Sequence, residues 1–284
     1  MKIADVMTPR ESLVTVSIPG TREDALEYFQ EYEFSSVPVV KETDDGEEFR
    51  GLVTRDMLIA EPEEDQLALL VEEVPTVDVD ATMAELAALM RETGARRVPV
   101  LEGGELTGIV TITDVVRAIA EGAVGGEGAI GELAGHAVNT VYRGTPLPVA
   151  ERQLAYADVA YAVVLDDEGT PEGMLTEVDI VAVARIVEGE ENAGDAIANQ
   201  DDEWMWEGIK AVGSRYMPTR NVEFPDDPVS EFMSSELVTI SKRRTPQEAA
   251  RVMIREDIEQ IPLLSGDELV GIVRDMDLLE ALDA

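Results

Sequence analysis

Apolar and polar positions follow one pattern four times along the 284-residue chain. A short apolar segment around a Thr comes first, then an amphipathic stretch of helical period. An apolar run follows, then an acidic turn, a second apolar run opened by Gly, and a closing apolar-periodic stretch. The clearest copy is ARRVPVLEGGELTGIVTITDVVRAI at Ala95–Ile119. Related text stands at Ser35–Leu58, Val159–Val181 and Glu259–Leu279. Short apolar runs bounded by turn residues read as strands, and the 3.6-periodic stretches read as helices. The predicted order within a copy is β-α-β-β-α.

Spacing supports true repetition. The first segments centre on Thr15, Thr76, Thr140 and Thr239, and the second-strand glycines are Gly51, Gly108, Gly173 and Gly271. These anchors lie 36, 32, 33 and 32 residues apart, the first value lengthened by the hairpin KETDDGEEF. First strands are expected at positions such as Leu13–Val16 and Val238–Ile240. The helices that follow carry start signals: Thr245-Pro246-Gln247-Glu248 offers a capping Thr, Pro at the first helical position and Glu at the third. Thr82 with Glu85, and Thr21 with Asp24, repeat the arrangement. In the third copy, Pro146 and Pro148 predict a shorter or irregular first helix.

The copies are bounded at 1–60, 67–122, 130–187 and 229–284. Residues 61–66, EPEEDQ, form a short acidic joint, and EGAVGGEGAIG at Glu121–Gly131 is a Gly-rich boundary between two halves, 1–122 and 130–284. The insertion 188–228 holds both tryptophans, Trp204 and Trp206, and is expected to contain a helix. Units of 55–60 residues rarely bury an adequate core alone, which argues for pairing.

Composition narrows the chemistry. Sixty acids against 22 bases give a net charge of −38, which argues against nucleic acid as a partner. Such an excess is typical of proteins adapted to high salt, where the Debye length falls to roughly 3 Å near 1 M. Zero cysteines exclude disulfides, thiolate nucleophiles and thiolate metal sites. No run of 18 apolar residues and no signal peptide are visible, so a cytoplasmic location without membrane is expected. No catalytic constellation stands out. His136 reads as ordinary surface, and Glu61, Glu63, Glu64 and Asp65 are too unspecific for a metal site. Arg22 and Arg152 are weak candidates for anion contact.

The pattern of M-T, h-x-T, a capped helix, h-P-V-h, an acidic turn, G-h-V-T-x-x-D and a closing helix resembles the CBS domain, the cystathionine-β-synthase motif. A four-copy chain is similar to archaeal stand-alone CBS proteins and to the gamma subunit of AMP-activated protein kinase. The resemblance implies an α/β (α+β) fold of four β-α-β-β-α repeats paired into two Bateman modules, with clefts for adenosyl ligands. It places ribose recognition at Thr111 and Asp114, Thr176 and Asp179, and Asp277. Copy four has Arg274 at the Thr position, and copy one keeps Thr54 but has Met57 at the Asp position. Phosphate recognition falls to Arg96 and Arg97, ahead of Val98-Pro99-Val100, with Arg243 and Arg244 as a second cluster. The other copies carry Ser35-Ser36, Ala160-Tyr161 and Glu259-Gln260 where copy two has its arginine pair. Thr76, Val98, Thr239 and Ile261 are the expected base-pocket positions. The T-x-x-D signature is also a helix capping box, and both roles can hold at once.

The expected function is that of a non-enzymatic regulator that senses AMP, ADP or ATP, needs no resident cofactor, and passes its state to a protein partner. A homodimer is compatible with this. The alternatives are a ligand-free interaction scaffold and a sensor of S-adenosylmethionine type. An enzyme of the inosine-monophosphate dehydrogenase kind would need about 250 further residues for its barrel.

Overall fold

A computed structural model of the chain describes residues 1–31, 36–43, 46–54, 57–58, 64–157, 159–183, 185–187, 209–212, 215–218, 221–266 and 268–282. Repeat 1 comprises β1 (Thr8–Pro9), β2 (Val16–Ile18), α1 (Arg22–Glu31), β3 (Ser36–Thr43) and β4 (Gly46–Thr54). Repeat 2 comprises β5 (Val77–Asp78), α2 (Met83–Thr93), β6 (Arg97–Glu102), β7 (Glu105–Thr111) and α3 (Ile112–Glu121). Repeat 3 comprises β8 (Thr140–Tyr142), α4 (Leu147–Ala157), β9 (Tyr161–Leu165), β10 (Pro171–Thr176) and α5 (Glu177–Val183).

The insertion region contributes β11 (Arg185–Val187), β12 (Ile209–Val212), β13 (Arg215–Pro218) and β14 (Asn221–Glu223), paired antiparallel as β11 with β14 and β12 with β13. Its expected helix is not among the described residues, and both tryptophans lie outside them. Repeat 4 comprises β15 (Ile240–Ser241), α6 (Pro246–Glu256), β16 (Gln260–Ser265), β17 (Glu268–Arg274) and a 3-10 helix at Asp275–Leu282.

The β-α-β-β-α order is complete in repeats 2 and 3; repeat 4 closes in a 3-10 helix, and the closing segment of repeat 1 falls largely outside the described residues. In repeats 1 to 3 the first strand runs parallel to the second, with Val16 opposite Val39, Val77 opposite Val100, and Thr140 opposite Val163. The second and third strands form an antiparallel hairpin with a register shift near its turn. First strands begin later than expected, at Val16 rather than Leu13 and at Ile240 rather than Val238. In repeat 1 ladder pairing starts at Val16, and the Thr15 hydroxyl just before it accepts from Arg10 Nη2 at 3.0 Å.

The helix starts follow their signals. The Thr82 hydroxyl accepts from Glu85 N at 3.2 Å, and Glu85 Oε2 accepts from Thr82 N at 2.8 Å. Met83, Leu86, Ala87 and Met90 turn one face of α2 into the core, and Gly94 ends the helix at φ +72°. The proline expectation in repeat 3 is overturned, because α4 has 11 residues, as many as α2. Pro148 occupies the second position of α4, where a helix has no internal partner for its N–H.

Four short 3-10 turns open the repeats: Ile3–Asp5, Leu67–Leu69, Ile130–Glu132 and Val229–Glu231. Their leading residues, Ile3, Leu67, Ile130 and Val229, are all 0% exposed. Each opening segment pairs with the neighbouring repeat of its pair. β1 of repeat 1 joins β7 of repeat 2, with Thr8 opposite Ile109. Glu72, opening repeat 2, exchanges both backbone hydrogen bonds with Leu52 of repeat 1, at 2.8 and 3.0 Å. Gly135 does the same with Ile272, and Ser234 with Met174. The glycines of the G-h-V strands permit this close approach. A Cβ on Gly108 would stand 2.7 Å from Thr8 O, and one on Gly173 would stand 2.6 Å from Ser234 O.

Contacts divide the chain into two units. The first comprises Met1–Gly135, Ile240–Leu263 and Ile272–Ala284, and the second His136–Thr239 with Leu264–Gly271. In the first unit α3 packs against α6, and Arg251 Nε donates to Ala120 O at 2.8 Å, satisfying a carbonyl at the α3 C-terminus. The second unit has its own core of Val141, Leu147, Leu154, Val164, Leu175 and Val229, with others.

Candidate functional site

The T-x-x-D turns sit where the third strand of a repeat passes into its closing helix. In repeat 2, Asp114 Oδ2 accepts from Thr111 N at 2.9 Å and from Thr111 Oγ1 at 2.8 Å. Asp114 N in turn donates to Thr111 Oγ1 at 3.3 Å. This is a complete capping box at the start of α3. Repeat 3 reproduces it, with Thr176 N and Oγ1 donating to Asp179 Oδ2 at 2.8 and 2.7 Å. In both boxes one carboxylate oxygen does the capping. The other, Oδ1, has one long contact from Arg117 at 3.4 Å in Asp114. In Asp179 it has no hydrogen bond among the described residues. A carboxylate has about four lone-pair sites, so each can still accept from a pair of hydroxyls.

Repeats 4 and 1 differ. Arg274 reaches both oxygens of Asp277, with Nη2 2.8 Å from Oδ1 and Nε 3.2 Å from Oδ2. The acceptor face that a diol would use is taken by a guanidinium. In repeat 1, Thr54 Oγ1 accepts from Met57 N at 3.2 Å, and there is no acid at the Asp position.

The strand opposite each turn supplies a second residue. Arg97 pairs directly with Thr111 across β6 and β7, Tyr161 with Thr176, and Ser36 with Thr54. Directly opposed residues project from the same face of a sheet. Repeat 2 therefore sets an arginine opposite the Thr of its carboxylate box, where repeats 1 and 3 set Ser and Tyr. The Arg97 guanidinium has no ion pair or hydrogen bond among the described residues. Desolvation lowers its pKa, and the neighbouring Arg96 charge lowers it further, while Glu259 opposes both.

Arg96 is engaged. Its Nη1 and Nη2 meet Asp275 Oδ1 and Oδ2 at 3.2 and 2.6 Å, and Nη2 also meets Glu259 Oε1 at 2.8 Å. Asp275 is the one buried charged residue among those described. Burial lowers the Arg96 pKa, but the hydrogen bonds and charges of Asp275 and Glu259 outweigh it, and the net direction is upward.

The CBS-domain family model matches residues 3–64, 68–121, 130–185 and 229–284, four copies in all. The chain belongs to the CBS-domain family. It is 26% identical over 279 residues to an uncharacterised protein of Methanocaldococcus jannaschii, covering 98% of this chain and 61% of that one. The chain thus spans about 61% of the length of this curated relative. The fold is similar to that of an uncharacterised conserved protein of Pyrococcus horikoshii, with a TM-score of 0.70, 25% identity, and 99% and 100% of the two chains covered. It also resembles a second Methanocaldococcus jannaschii protein, described as a candidate archaeal homologue of g-AMPK. That match has a TM-score of 0.63, 17% identity and 99% coverage of both chains. CBS repeats pair here as in Bateman modules.

The remaining expected positions belong to repeats 2 and 4. Val98 and Ile261 are 0% exposed, and their side chains lie in the core. Thr76 and Thr239 are both exposed, the first in the first unit and the second in the second. In repeats 1 to 3 the loop after the first strand leaves at the hairpin end of the sheet, away from the T-x-x-D turn. In repeat 4, Arg243 and Arg244 lie just after β15. Arg244 pairs with Glu248 at 2.6 Å.

Arg22 Nη2 donates to Leu58 O at 2.8 Å, and Arg152 also has partners. His136 Nδ1 lies 3.2 Å from Val270 O. Of the acidic joint, Glu61 and Glu63 lie outside the described residues, and no group of three or more metal-ligating side chains exists among the described ones. No helix among the described residues is long and apolar enough to cross a membrane. A cavity of about 520 Å³ opens beside Ile18, Lys41, Arg50 and Val71 in the first unit, at the hairpin end of repeat 1, and contains none of the expected residues. The Asp275–Arg96 contact is the site feature that sequence reasoning missed. No local pattern signals it, because its two residues lie 179 positions apart in the chain.

Proposed function

We propose that this protein is a regulatory sensor that binds an adenine nucleotide at repeat 2, with Asp114 holding the ribose diol and Arg97 the phosphate. CBS domains are regulatory modules that bind adenosine ligands, and the local chemistry of repeat 2 suits one. The supporting observation is the direct pairing of Arg97 with Thr111, which sets an arginine with no ion pair among the described residues on the strand opposite the T-x-x-D turn in a chain of net charge −38. A carboxylate accepts two hydrogen bonds from adjacent hydroxyls, and a guanidinium donates a charge-assisted fork to phosphate. Repeat 3 keeps the box but offers Tyr161 in place of a cation, and suits a nucleoside moiety with weaker phosphate contact. Repeats 1 and 4 are closed to this chemistry by Met57 and Arg274. Occupancy then biases a partner protein through the different affinities of its states.

Calorimetry in about 1 M KCl, comparing AMP, ADP, ATP and S-adenosylmethionine, tests the reading. Saturable binding of at least one adenine nucleotide is expected, weakened by about 1–3 kcal/mol in Asp114→Asn. Absence of binding for every ligand would leave the ligand-free scaffold as the better account.

A further inference from the structure

Repeats 2 and 4 place opposite charges at one and the same structural position. Ile112 N donates to Arg96 O at 2.9 Å in repeat 2, and Asp275 N donates to Glu259 O at 2.8 Å in repeat 4. Glu259 therefore holds in repeat 4 the place that Arg96 holds in repeat 2, and Asp275 holds the place of Ile112. The two positions meet within the first unit, joined by the Arg96 ion pairs.

The pairs differ in how firmly they hold. Asp275 is 8% exposed, grips both terminal nitrogens of Arg96, and accepts from Met276 N at 2.7 Å. Glu259 is 66% exposed and touches one nitrogen at 2.8 Å. Its charge also reaches Arg97. Two cations and two anions thus share the place where a ligand phosphate would sit, and of these Arg97 alone has no ion pair among the described residues.

We infer that Glu259 is a specificity-determining residue that makes the repeat 2 site select a nucleoside monophosphate over a triphosphate. The inference rests on the nucleotide-binding reading above. One phosphoryl group can take the free guanidinium of Arg97. A longer phosphate chain must either lie against the Glu259 carboxylate or displace it from Arg96, while Asp275 keeps its hold. A site built for triphosphate would leave both arginines open and place no acid between them.

Glu259→Gln removes the exposed charge and leaves the Asp275–Arg96 grip intact. Glu132→Gln, an exposed acid outside this cluster, controls for the change in total charge. AMP and ATP are titrated into all three proteins without magnesium in about 1 M KCl, where contact pairs are screened far less than distant ones. The expected result is tighter binding of AMP than ATP to the unaltered protein. Glu259→Gln should raise ATP affinity about tenfold and AMP affinity no more than about threefold, with no such change in Glu132→Gln. If the unaltered protein binds nucleotide but the ATP-to-AMP ratio stays fixed in Glu259→Gln, or moves equally in the control, this inference is overturned and the binding reading survives. If neither nucleotide binds the unaltered protein, both fail together.

Discussion

Asp114 shows how one side chain can carry two duties. Its Oδ2 completes the cap of α3, and its Oδ1 carries only the long Arg117 contact among the described residues. The two duties separate by substitution. Asp114→Asn keeps an oxygen to accept from Thr111 N but lowers the negative charge offered to a diol. Asp114→Ala removes both and should also cost about 1 kcal/mol of stability. Loss of nucleotide affinity in Asn without a fall in melting temperature would identify the ribose role, and a fall in melting temperature with affinity unchanged would reduce Asp114 to a cap.

The four letters of T-x-x-D spell either duty, which is why the sequence left both open. Arg97 was legible because adjacent arginines stand out among 60 acids. Asp275 was not, since its burial depends on Arg96, 179 positions away in the chain. Arginine–carboxylate pairs also set the acid response. The hydrogen bond from Arg10 holds Glu47 below its ordinary value of 4.5, and burial only partly opposes it. Because the folded value is depressed, that stabilisation is full above the unfolded value and drains away as pH falls through the folded one. Melting temperature should decline below about pH 4.5, and Glu47→Gln should flatten the decline. Equal slopes in both proteins would remove Glu47 from the account.

At the scale of elements, strands and helices followed their periodicity and caps, while their exact starts followed contacts that periodicity does not encode. The opening 3-10 turns escaped notice because each carries its weight on a single apolar residue, Ile3, Leu67, Ile130 or Val229, with no repeating pattern around it. The prolines of repeat 3 misled because position within a helix, not the presence of proline, decides the cost. The G-h-V glycines were visible as anchors, but their reason was not. Gly108 is small because β1 lies across it, and Gly108→Ala should push Met7 and Thr8 away at a cost of about 1–3 kcal/mol, read as a lowered melting temperature. A neutral outcome would mean that β1 can shift at little cost.

Across the whole molecule the acid excess acts as a diffuse self-repulsion with no single partner. Raising KCl from about 0.1 M to about 1 M shortens the Debye length from about 10 Å to about 3 Å. The melting temperature should therefore rise, and an unchanged value would show the acids too well spaced to matter. The repeat count and pairing were readable from spacing and core size. The meeting of repeats 2 and 4 at Arg96 was not, because it rests on two positions that differ in sign and share no local text.

The exchanged opening segments bear on how such a chain can grow. Each sheet in a pair is finished by backbone borrowed from the other member, so a lone copy would carry a raw margin of unpaired amides and carbonyls. Gain or loss of copies by twos leaves every margin sealed. An odd number leaves one sheet ready to capture a strand from a second molecule.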